Sequence, residues 1–155
     1  MCSVGIISIK GGDFMIGVIV TGHGKFASGM ESALKLLAGK PEKFTSVDFR
    51  QEDTIDDLEF RLRDAIRDMS ECTGILILAD IYEGAPYRES IEMKEKMHDQ
   101  QIEIVAGVNL GMLMQINLSR GYVSDVADLA DLAVEEGRKQ TLKYVYSESE
   151  AAYDD

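Results

Sequence analysis

The chain has little cysteine and few basic residues, and both shortages narrow the classes of protein to which it can belong. Its 155 residues include 2 cysteines, too few for a disulfide framework and typical of a protein from a reducing cytoplasm. Only 16 Lys and Arg residues stand against 28 Asp and Glu residues, giving a formal net charge of −12. Nucleic acids and anionic membranes both favour basic residues, and no apolar run approaches the roughly 20 residues of a membrane helix. We therefore predict a cytoplasmic protein with no nucleic-acid partner and no membrane insertion.

The length of 155 residues fits one domain with a core of its own. Residues 1–14 form a leader, in which codons for Lys10–Asp13 can read as a strong ribosome-binding sequence just before Met15. We expect Met15 to be the natural start and 15–146 to be the domain. Finding leader residues at the N-terminus of the native protein by mass spectrometry would contradict this. Residues 147–155 carry four acids and no base, and we expect a flexible acidic tail.

Strand-like and helix-like segments alternate along the body of the chain. Short apolar runs predict strands at Ile16–Thr21, Phe44–Asp48, Gly74–Ala79 and Ile102–Ala106. Apolar stripes with helical spacing predict helices at about Ala27–Ala38 and Thr54–Met69, two that end near His98 and Arg120, and a fifth at Val123–Gly137. The alternation predicts an α/β fold, a doubly wound and mostly parallel sheet of four strands with helices on both faces.

His23 follows the first predicted strand directly and lies between Gly22 and Gly24. The carboxyl ends of parallel strands share one edge of a sheet, so the loops after the first, third and fourth strands should converge there. Asp80 begins the second of these loops. Adjacent strands lie about 4.8 Å apart, so His23 and Asp80 meet if the first and third strands are neighbours.

This pair predicts a phosphohistidine site. An Asp that accepts the Nδ1 proton of a histidine leaves Nε2 free as a nucleophile and stabilises the cationic ring. Backbone N–H groups at helix starts bind anions, and Asn109 in the last loop would add a polar wall. The residues predicted to bind phosphate or a partner are Thr21, Gly22, Gly24, Gly84, Ala85 and Asn109. The structural alternative is that His23 and Asp80 are ordinary turn and capping residues. His98 lies in a charged stretch typical of a solvated helix end.

Three segments together resemble one family. Ile16–Met30, Asp80–Tyr87 and Val105–Leu113 are similar to the IIA component of the mannose family of the bacterial phosphoenolpyruvate-dependent sugar phosphotransferase system. That family has a strand followed by His-Gly, then an Asp-x-x-Gly-Gly-Ser/Thr-Pro loop, then an Ala/Thr-Gly-x-Asn segment before a helix. The similarity covers about Met15–Lys143 in order and spacing.

The resemblance implies that His23 is phosphorylated and that Asp80 orients it. It implies the phosphocarrier HPr as donor and the IIB component of a sugar transporter, with its membrane IIC and IID components, as acceptor. It further implies a homodimer in which a C-terminal antiparallel strand is exchanged, for which Leu142–Tyr146 is the candidate. No metal or organic cofactor is expected, because the sequence has no Cys/His cluster with metal-ligand spacing.

Two residues depart from the pattern of the family. Glu83 stands where Gly is usual, and Ala85 stands where Ser or Thr is usual, so a hydroxyl that bonds phosphate is missing. We expect backbone N–H groups and the Thr21 hydroxyl to replace it. The run Thr21–Met30 looks most like the branch that handles N-acetylgalactosamine and galactosamine, although this component does not touch the sugar.

Other functions remain open at this point. A regulatory module of the same fold would use phosphorylation as a signal to a partner protein. A tetrapyrrole chelatase also places His-Gly after a first strand, but it requires a second metal-facing group opposite His23. A dihydroxyacetone-kinase phosphotransfer subunit is a nearer relative, although its second loop differs from Asp80–Pro86.

Overall fold

A computed structural model of the chain describes residues 15–148; the predicted leader and all but the first two residues of the predicted tail lie outside this range. Within it, strands and helices alternate as predicted. The strands are β1 Gly17–His23, β2 Phe44–Phe49, β3 Ile75–Ala79 and β4 Ile102–Ala106. The helices are α1 Phe26–Ala38, α2 Ile55–Asp68, α3 Ala85–Lys96, α4 Leu110–Ser119 and α5 Val126–Arg138.

The sheet is parallel at every pairing and has the strand order β2-β1-β3-β4. Strand β1 therefore has β2 on one side and β3 on the other, with Thr21 opposite Val47 and Ala79. The chain reverses its direction of winding between β1 and β3, and such a switch point opens a crevice at the carboxyl ends of the strands. The first and third strands are neighbours, which is the condition on which a contact between His23 and Asp80 depended.

Helices cover both faces of the sheet, and the alternation of side chains along each strand divides the core in two. On one face Val18, Val20, Leu76 and Leu78 pack with α1, α4 and α5. On the other face Ile19, Ile75 and Ile77 pack with α2 and α3. Strand β3 is buried along its whole length, which explains why its sequence is a continuous apolar run rather than an alternating one.

Several predicted boundaries were wrong. Strand β1 continues through Gly22 to His23, because His23 pairs with Phe49 of β2; the histidine is the last strand residue and not part of the turn. Helix α5 begins at Val126 rather than Val123, since the Asp125 side chain accepts a hydrogen bond from the Ala127 N–H and caps the helix. The four described strands are all parallel, in agreement with the predicted fold, and the extra antiparallel C-terminal strand stays a prediction.

Residues 142–146 form no strand within the described part of the chain. Their apolar side chains are exposed, including Leu142 at 86% and Tyr144 at 82%. No helix within residues 15–148 is long and apolar enough to cross a membrane.

The amino end of the sheet is fixed by a buried arginine. Arg120, which follows α4, is 3% exposed, and its guanidinium donates to the backbone carbonyls of Ile16, Glu42 and Lys43. These bonds join the beginnings of β1 and β2 to the end of α4. Burial is the largest influence on the pKa of Arg120 and lowers it. The charges of Cys72 and Glu42 act in the opposite direction and raise this pKa. The backbone carbonyls at this end of the sheet are therefore paired within the protein, whereas His23 and Asp80 lie at the opposite, carboxyl end.

Candidate functional site

His23 and Asp80 meet at the switch point. The ring Nδ1 of His23 lies 2.7 Å from Oδ2 of Asp80, and the backbone N–H of His23 donates to the same oxygen at 2.9 Å. A carboxylate accepts the Nδ1 proton, so this contact selects the tautomer whose Nε2 carries a free lone pair. The His23 side chain is 46% exposed and the Asp80 side chain only 10% exposed. Asp80 thus holds the His23 ring on its Nδ1 side, while the exposed part of the ring is open to another molecule.

Asp80 is held as a hydrogen-bond acceptor. Its other oxygen, Oδ1, accepts from the backbone N–H of Ile81 at 2.8 Å. Partial burial works to raise the pKa of Asp80, but the hydrogen bonds from the backbone and ring of His23 and from Ile81 outweigh it, and the pKa lies below its usual value. The carboxylate therefore remains charged beside the imidazole across the neutral pH range.

The start of α3 lies against the histidine ring. A Cβ atom added to Gly84 would lie 2.8 Å from Cε1 of His23, so only glycine allows this approach. Gly84 precedes the first residue of α3, Ala85, and no side chain in the described residues caps this helix start. The uncapped, positive start of the helix therefore lies beside the Cε1 atom of the His23 ring.

The end of β2 forms the other wall of the site. The Phe49 ring meets the His23 ring edge to face at a centroid distance of 6.0 Å, and the Phe49 carbonyl accepts from the Gly24 N–H at 2.7 Å. A shallow groove beside the ring is lined by Gly24, Phe49, Arg50 and neighbouring residues. Lys25, Arg50 and Glu52 line a second groove that shares Gly24 with the first, so charges of both signs border the site on this side.

Two of the residues predicted to bind phosphate have other partners. The Thr21 hydroxyl is buried and donates to the Val47 carbonyl at 2.9 Å, which directs it into the sheet and away from the ring. The Asn109 side chain accepts from the Met112 N–H at 2.9 Å and donates to the Gly137 carbonyl at 3.0 Å. The structure therefore uses Thr21 to join β1 to β2 and Asn109 to cap α4 and attach it to α5.

The remaining predicted residues do lie at the site. Gly22 contacts Asp80 so closely that an added Cβ would lie 3.0 Å from its Cβ and Cγ atoms. Gly24 adopts a φ of +61°, which favours glycine, and Gly84 and Ala85 begin α3. No group of three or more His, Cys, Asp or Glu side chains within residues 15–148 is arranged to hold a metal ion. The arrangement offers an oriented nucleophilic nitrogen beside an uncapped helix start, as transfer of an anionic group requires.

This fold and site have known counterparts. The family model described as "PTS system fructose IIA component" matches residues 17–134, which run from β1 into α5 and include both site residues. The chain belongs to the EIIA-man family of the phosphotransferase system. This result confirms the family-level resemblance of the sequence, whereas the N-acetylgalactosamine branch stays a prediction.

Relatives of known description support the family assignment. The chain is 30% identical to the fructose-specific EIIA component of Bacillus subtilis (strain 168), over 71% of this chain and 74% of that protein. It is 26% identical to the sorbose-specific EIIA component of Lacticaseibacillus casei, over 69% and 75% of the two chains. The crystal structure of an EIIA component from Streptococcus agalactiae matches with a TM-score of 0.78 and 30% identity, covering 83% of this chain and 97% of that one.

The EIIA loop before α3 contains an unusual backbone conformation. Glu83 has a φ of +65°, in the left-handed region that side chains beyond glycine rarely adopt. Its carbonyl accepts from Nη1 of Arg88 at 2.7 Å, which holds the turn in this shape. Of the two residues that depart from the family pattern, Glu83 is therefore the one with a strained backbone, and Ala85 is not.

Sequence analysis of this EIIA chain missed Phe49 and Asp48. Asp48 is 6% exposed and accepts the N–H and the hydroxyl of Ser28, at 2.9 and 2.6 Å, at the start of α1. Neither residue belongs to a local motif. Their roles depend on the pairing of β2 with β1. Asp48 ends a predicted strand and Phe49 follows it directly, and this position is the signal that could have indicated them.

Proposed function

We propose that this chain is a cytoplasmic phosphocarrier in which His23 accepts a phosphoryl group from phospho-HPr and passes it to the IIB component of a sugar transporter. The membrane IIC and IID components would complete that transporter. The observation that carries the proposal is the 2.7 Å contact between Nδ1 of His23 and the Asp80 carboxylate at an exposed sheet edge. Membership of the family, whose members work with HPr and a IIB component, supports it.

In the proposed step the phosphoryl group moves between two nitrogen atoms. The lone pair on Nε2 of His23 attacks phosphorus in line with the N–P bond of the donor. That bond breaks as the new N–P bond forms, and the donor nitrogen keeps the electron pair. The His23 ring retains its Nδ1 proton and becomes cationic, and the Asp80 carboxylate stabilises the charge. Catalysis then rests on positioning and charge stabilisation, so the step requires no metal or organic cofactor.

We assign the phosphoryl oxygens to backbone N–H groups at the start of α3. Gly84 and Ala85 lie at the uncapped end of this helix, and Gly84 lies against the ring. Ala85 has no hydroxyl, so the helix start would act without help from its side chain. Gly24 is exposed and would leave room for the surface of a partner protein beside His23, whereas the buried Gly22 would contribute by allowing Asp80 to approach.

A homodimer with exchanged C-terminal strands remains part of the proposal. Strand β4 is an edge strand in the described sheet, and Leu142, Tyr144 and Tyr146 are exposed at 86%, 82% and 64%. An open edge and an exposed apolar segment favour pairing with another chain. Light scattering of the full chain and of a chain ending at Thr141 tests this. We expect a dimer from the full chain and a monomer from the shortened chain. The same oligomeric state for both chains would contradict the exchange.

The transported sugar is a separate proposal. We assign the chain to the N-acetylgalactosamine and galactosamine branch on the run Thr21–Met30 alone, whereas its relatives carry the names fructose and sorbose. Uptake assays with the cognate IIB, IIC and IID proteins and each of these sugars decide the matter. Phosphorylation of fructose or sorbose alone would contradict the assignment.

The test of the central role is phosphoryl transfer. The protein is mixed with phosphoenolpyruvate, enzyme I and HPr, and a mass increase of one phosphoryl group, labile in acid and stable in base, is measured. His23→Ala should abolish the label, while the matched control His98→Ala, at an exposed position after α3, should keep it. A label that survives His23→Ala would contradict the assigned residue.

A second assay separates the transporter role from signalling. Phosphorylated protein is mixed with the IIB component, and loss of the label from His23 is followed. Delivery to IIB supports the phosphocarrier. A protein that accepts the label but never delivers it would favour the regulatory module, in which phosphorylation alters binding to another protein.

A further inference from the structure

The two contacts that orient the His23 ring most closely both come from the β3 side of β1. Asp80 follows β3 and is bonded to Nδ1, and Gly84 lies beside Cε1. A single hydrogen bond at an exposed position is a weak constraint, because water competes for both groups. Rotation of a histidine ring about its Cβ–Cγ bond is also broad, and such a rotation takes Nδ1 away from its partner. A contact on the opposite side, from β2, would limit that rotation.

Phe49 is the residue of β2 that faces the His23 ring. The two residues are partners in the register of the parallel sheet. Their ring centroids lie 6.0 Å apart and their planes are inclined by 64°, an edge-to-face arrangement that aromatic pairs favour. The imidazole is therefore confined between Phe49 on one side and Asp80 and Gly84 on the other.

The Phe49 side chain is itself attached to the core. It is half-buried and packs against the cluster that includes Ile19, Val47 and Leu58 on the α2 and α3 face of the sheet. Its carbonyl accepts from the N–H of Gly24, the residue that follows His23, at 2.7 Å. Packing and a backbone hydrogen bond thus both hold Phe49 beside the histidine.

The backbone before and after Phe49 is fixed as well. Arg61 of α2 donates from Nη1 to the Asp48 carbonyl at 2.8 Å, and its Nη2 lies 2.6 Å from the Asp53 carboxylate. The same carboxylate accepts from the Arg50 N–H at 2.7 Å, and the Asp53 N–H donates to the Arg50 carbonyl at 3.0 Å. These bonds connect both neighbours of Phe49 to α2 or to the turn before it, so the ring has a rigid base.

We propose that Phe49 is a positioning residue for His23, whose ring blocks rotation of the imidazole toward β2 and so keeps Nδ1 on Asp80 and Nε2 free. The effect on phosphoryl transfer rests on the proposed phosphocarrier function, whereas the effect on ring orientation does not. Phe49 takes no part in making or breaking the N–P bonds, and it acts only through His23.

The first test reads the orientation of the ring directly. All proteins carry His98→Ala, so that His23 is the only histidine in the chain. Long-range ¹H–¹⁵N spectra of the unphosphorylated protein at about pH 8, above the ordinary titration range of histidine, show which ring nitrogen is protonated. The parent protein should show the Nδ1–H tautomer that the Asp80 bond selects. Phe49→Ala should raise the ratio of Nε2–H to Nδ1–H by about twofold to tenfold, the factor that corresponds to loss of an aromatic pair.

Two further variants separate the ring of Phe49 from its packing. Phe49→Tyr keeps the ring and should retain the tautomer ratio of the parent protein. Phe60→Ala is the matched control, because Phe60 is exposed on α2, and it should also leave the ratio unchanged. Urea unfolding is measured on the same samples. Should Phe49→Ala fail to fold, Phe49→Leu takes its place, since leucine keeps an apolar side chain in the core without a flat ring.

Kinetics with phospho-HPr distinguishes positioning from partner binding. If Phe49 orients His23, Phe49→Ala lowers the maximal rate of phosphorylation at saturating phospho-HPr and leaves the KM for phospho-HPr unchanged. A direct contact between Phe49 and HPr would raise the KM instead. In the Asp80→Asn background the orienting bond is already lost, so Phe49→Ala should lower the rate much less than it does with Asp80 present. Additive effects of the two substitutions would overturn the proposal.

The outcomes keep the two proposals apart. An unchanged tautomer ratio in folded Phe49→Ala, with His23 still phosphorylated, overturns the role of Phe49 and leaves the phosphocarrier standing. A ratio that shifts in Phe49→Ala and returns in Phe49→Tyr supports the positioning role, even in a protein that phospho-HPr never labels, and that lack of label would overturn the phosphocarrier alone. A Phe49→Tyr variant that behaves like Phe49→Ala overturns the positioning role, because the ring would then not be what holds His23.

Discussion

Helices α1 and α3 start at the same edge of the sheet, yet their starts are built differently. The start of α1 is closed by the protein itself, since the buried Asp48 carboxylate of β2 accepts both the N–H and the hydroxyl of Ser28. The start of α3 has no side-chain cap within the described residues and lies against the His23 ring through Gly84. The first turn of α1 thus holds a carboxylate of the protein itself at the Ser28 N–H, whereas no such carboxylate is bonded at the start of α3 in the described residues, and this start lies beside the nucleophile.

The largest effect is expected from filling the open helix start. Gly84→Ala places a Cβ atom 2.8 Å from Cε1 of His23, so the ring must move away from its position on Asp80. A displacement on the scale of 1 Å lowers the rate of phosphorylation by roughly 100-fold. The rate is measured by rapid mixing with phospho-HPr.

The matched control for this substitution lies in α1. Gly29→Ala adds a Cβ atom that meets nothing within 4 Å, at an exposed helical position. It should leave the rate unchanged and stabilise the fold by about 0.5–1 kcal/mol. An unimpaired Gly84→Ala variant would show that the open helix start does not position the ring.

The two helix starts also differ in how far the sequence predicts the contacts around them. Asp80 and His23 were placed together because both follow apolar runs, and parallel strands bring such positions to one edge. The closed start was not predicted, because Asp48 and Ser28 are 20 residues apart and meet only through the pairing of β1 with β2. Thr21 was misassigned because a sequence does not show that its hydroxyl turns toward the Val47 carbonyl.

The next largest effect is expected when the contact that orients the His23 ring is changed. Asp80→Asn replaces an acceptor by a group that can donate to Nδ1, which favours the tautomer with the proton on Nε2. We expect the rate of phosphorylation to fall by about 10–100-fold while the fold is kept. Asp99→Asn, at an exposed position next to His98, is the control and should keep the wild-type rate. An Asp80→Asn rate within twofold would mean that Asp80 does not orient the ring.

Opening the closed start should affect stability rather than transfer. Asp48→Asn removes the negative charge at the positive end of α1 and should lower the free energy of unfolding by about 1–2 kcal/mol. The rate of phosphorylation should stay within about threefold, because the ring and α3 are untouched. Urea unfolding and phosphoryl-transfer kinetics on the same samples check both parts. A large loss of rate without a loss of stability would contradict the distinction between the two helix starts.

A smaller effect is expected from the strained turn before α3. Glu83→Gly relieves the left-handed strain, at φ +65°, although glycine also gains freedom in the unfolded chain. The net result should be a rise in unfolding free energy of about 0.5–1 kcal/mol. Thermal unfolding measures it, and Glu83→Ala, which keeps the strain, should show no such gain. A destabilised Glu83→Gly protein would contradict the strain at this position.

The smallest expected effect is the pH dependence that Asp80 contributes to stability. Hydrogen bonds hold its pKa in the folded protein below that of the unfolded chain, even though partial burial works to raise it. Asp80 therefore contributes stability above the unfolded pKa of about 3.9, and this contribution is lost as pH falls through the folded pKa. The stability difference between wild type and Asp80→Asn should be constant at neutral pH and shrink in acid. A difference that grows in acid would contradict the direction of the shift.

The account depends most on which ring nitrogen of His23 carries the phosphoryl group. Long-range ¹H–¹⁵N correlation spectra of the phosphorylated protein, with ¹⁵N in its histidine rings, distinguish the two nitrogens directly. We predict phosphorylation at Nε2, with Nδ1 still protonated and bonded to Asp80. Phosphorylation at Nδ1 would contradict the account, because the Asp80 contact would then be broken in the phosphorylated state.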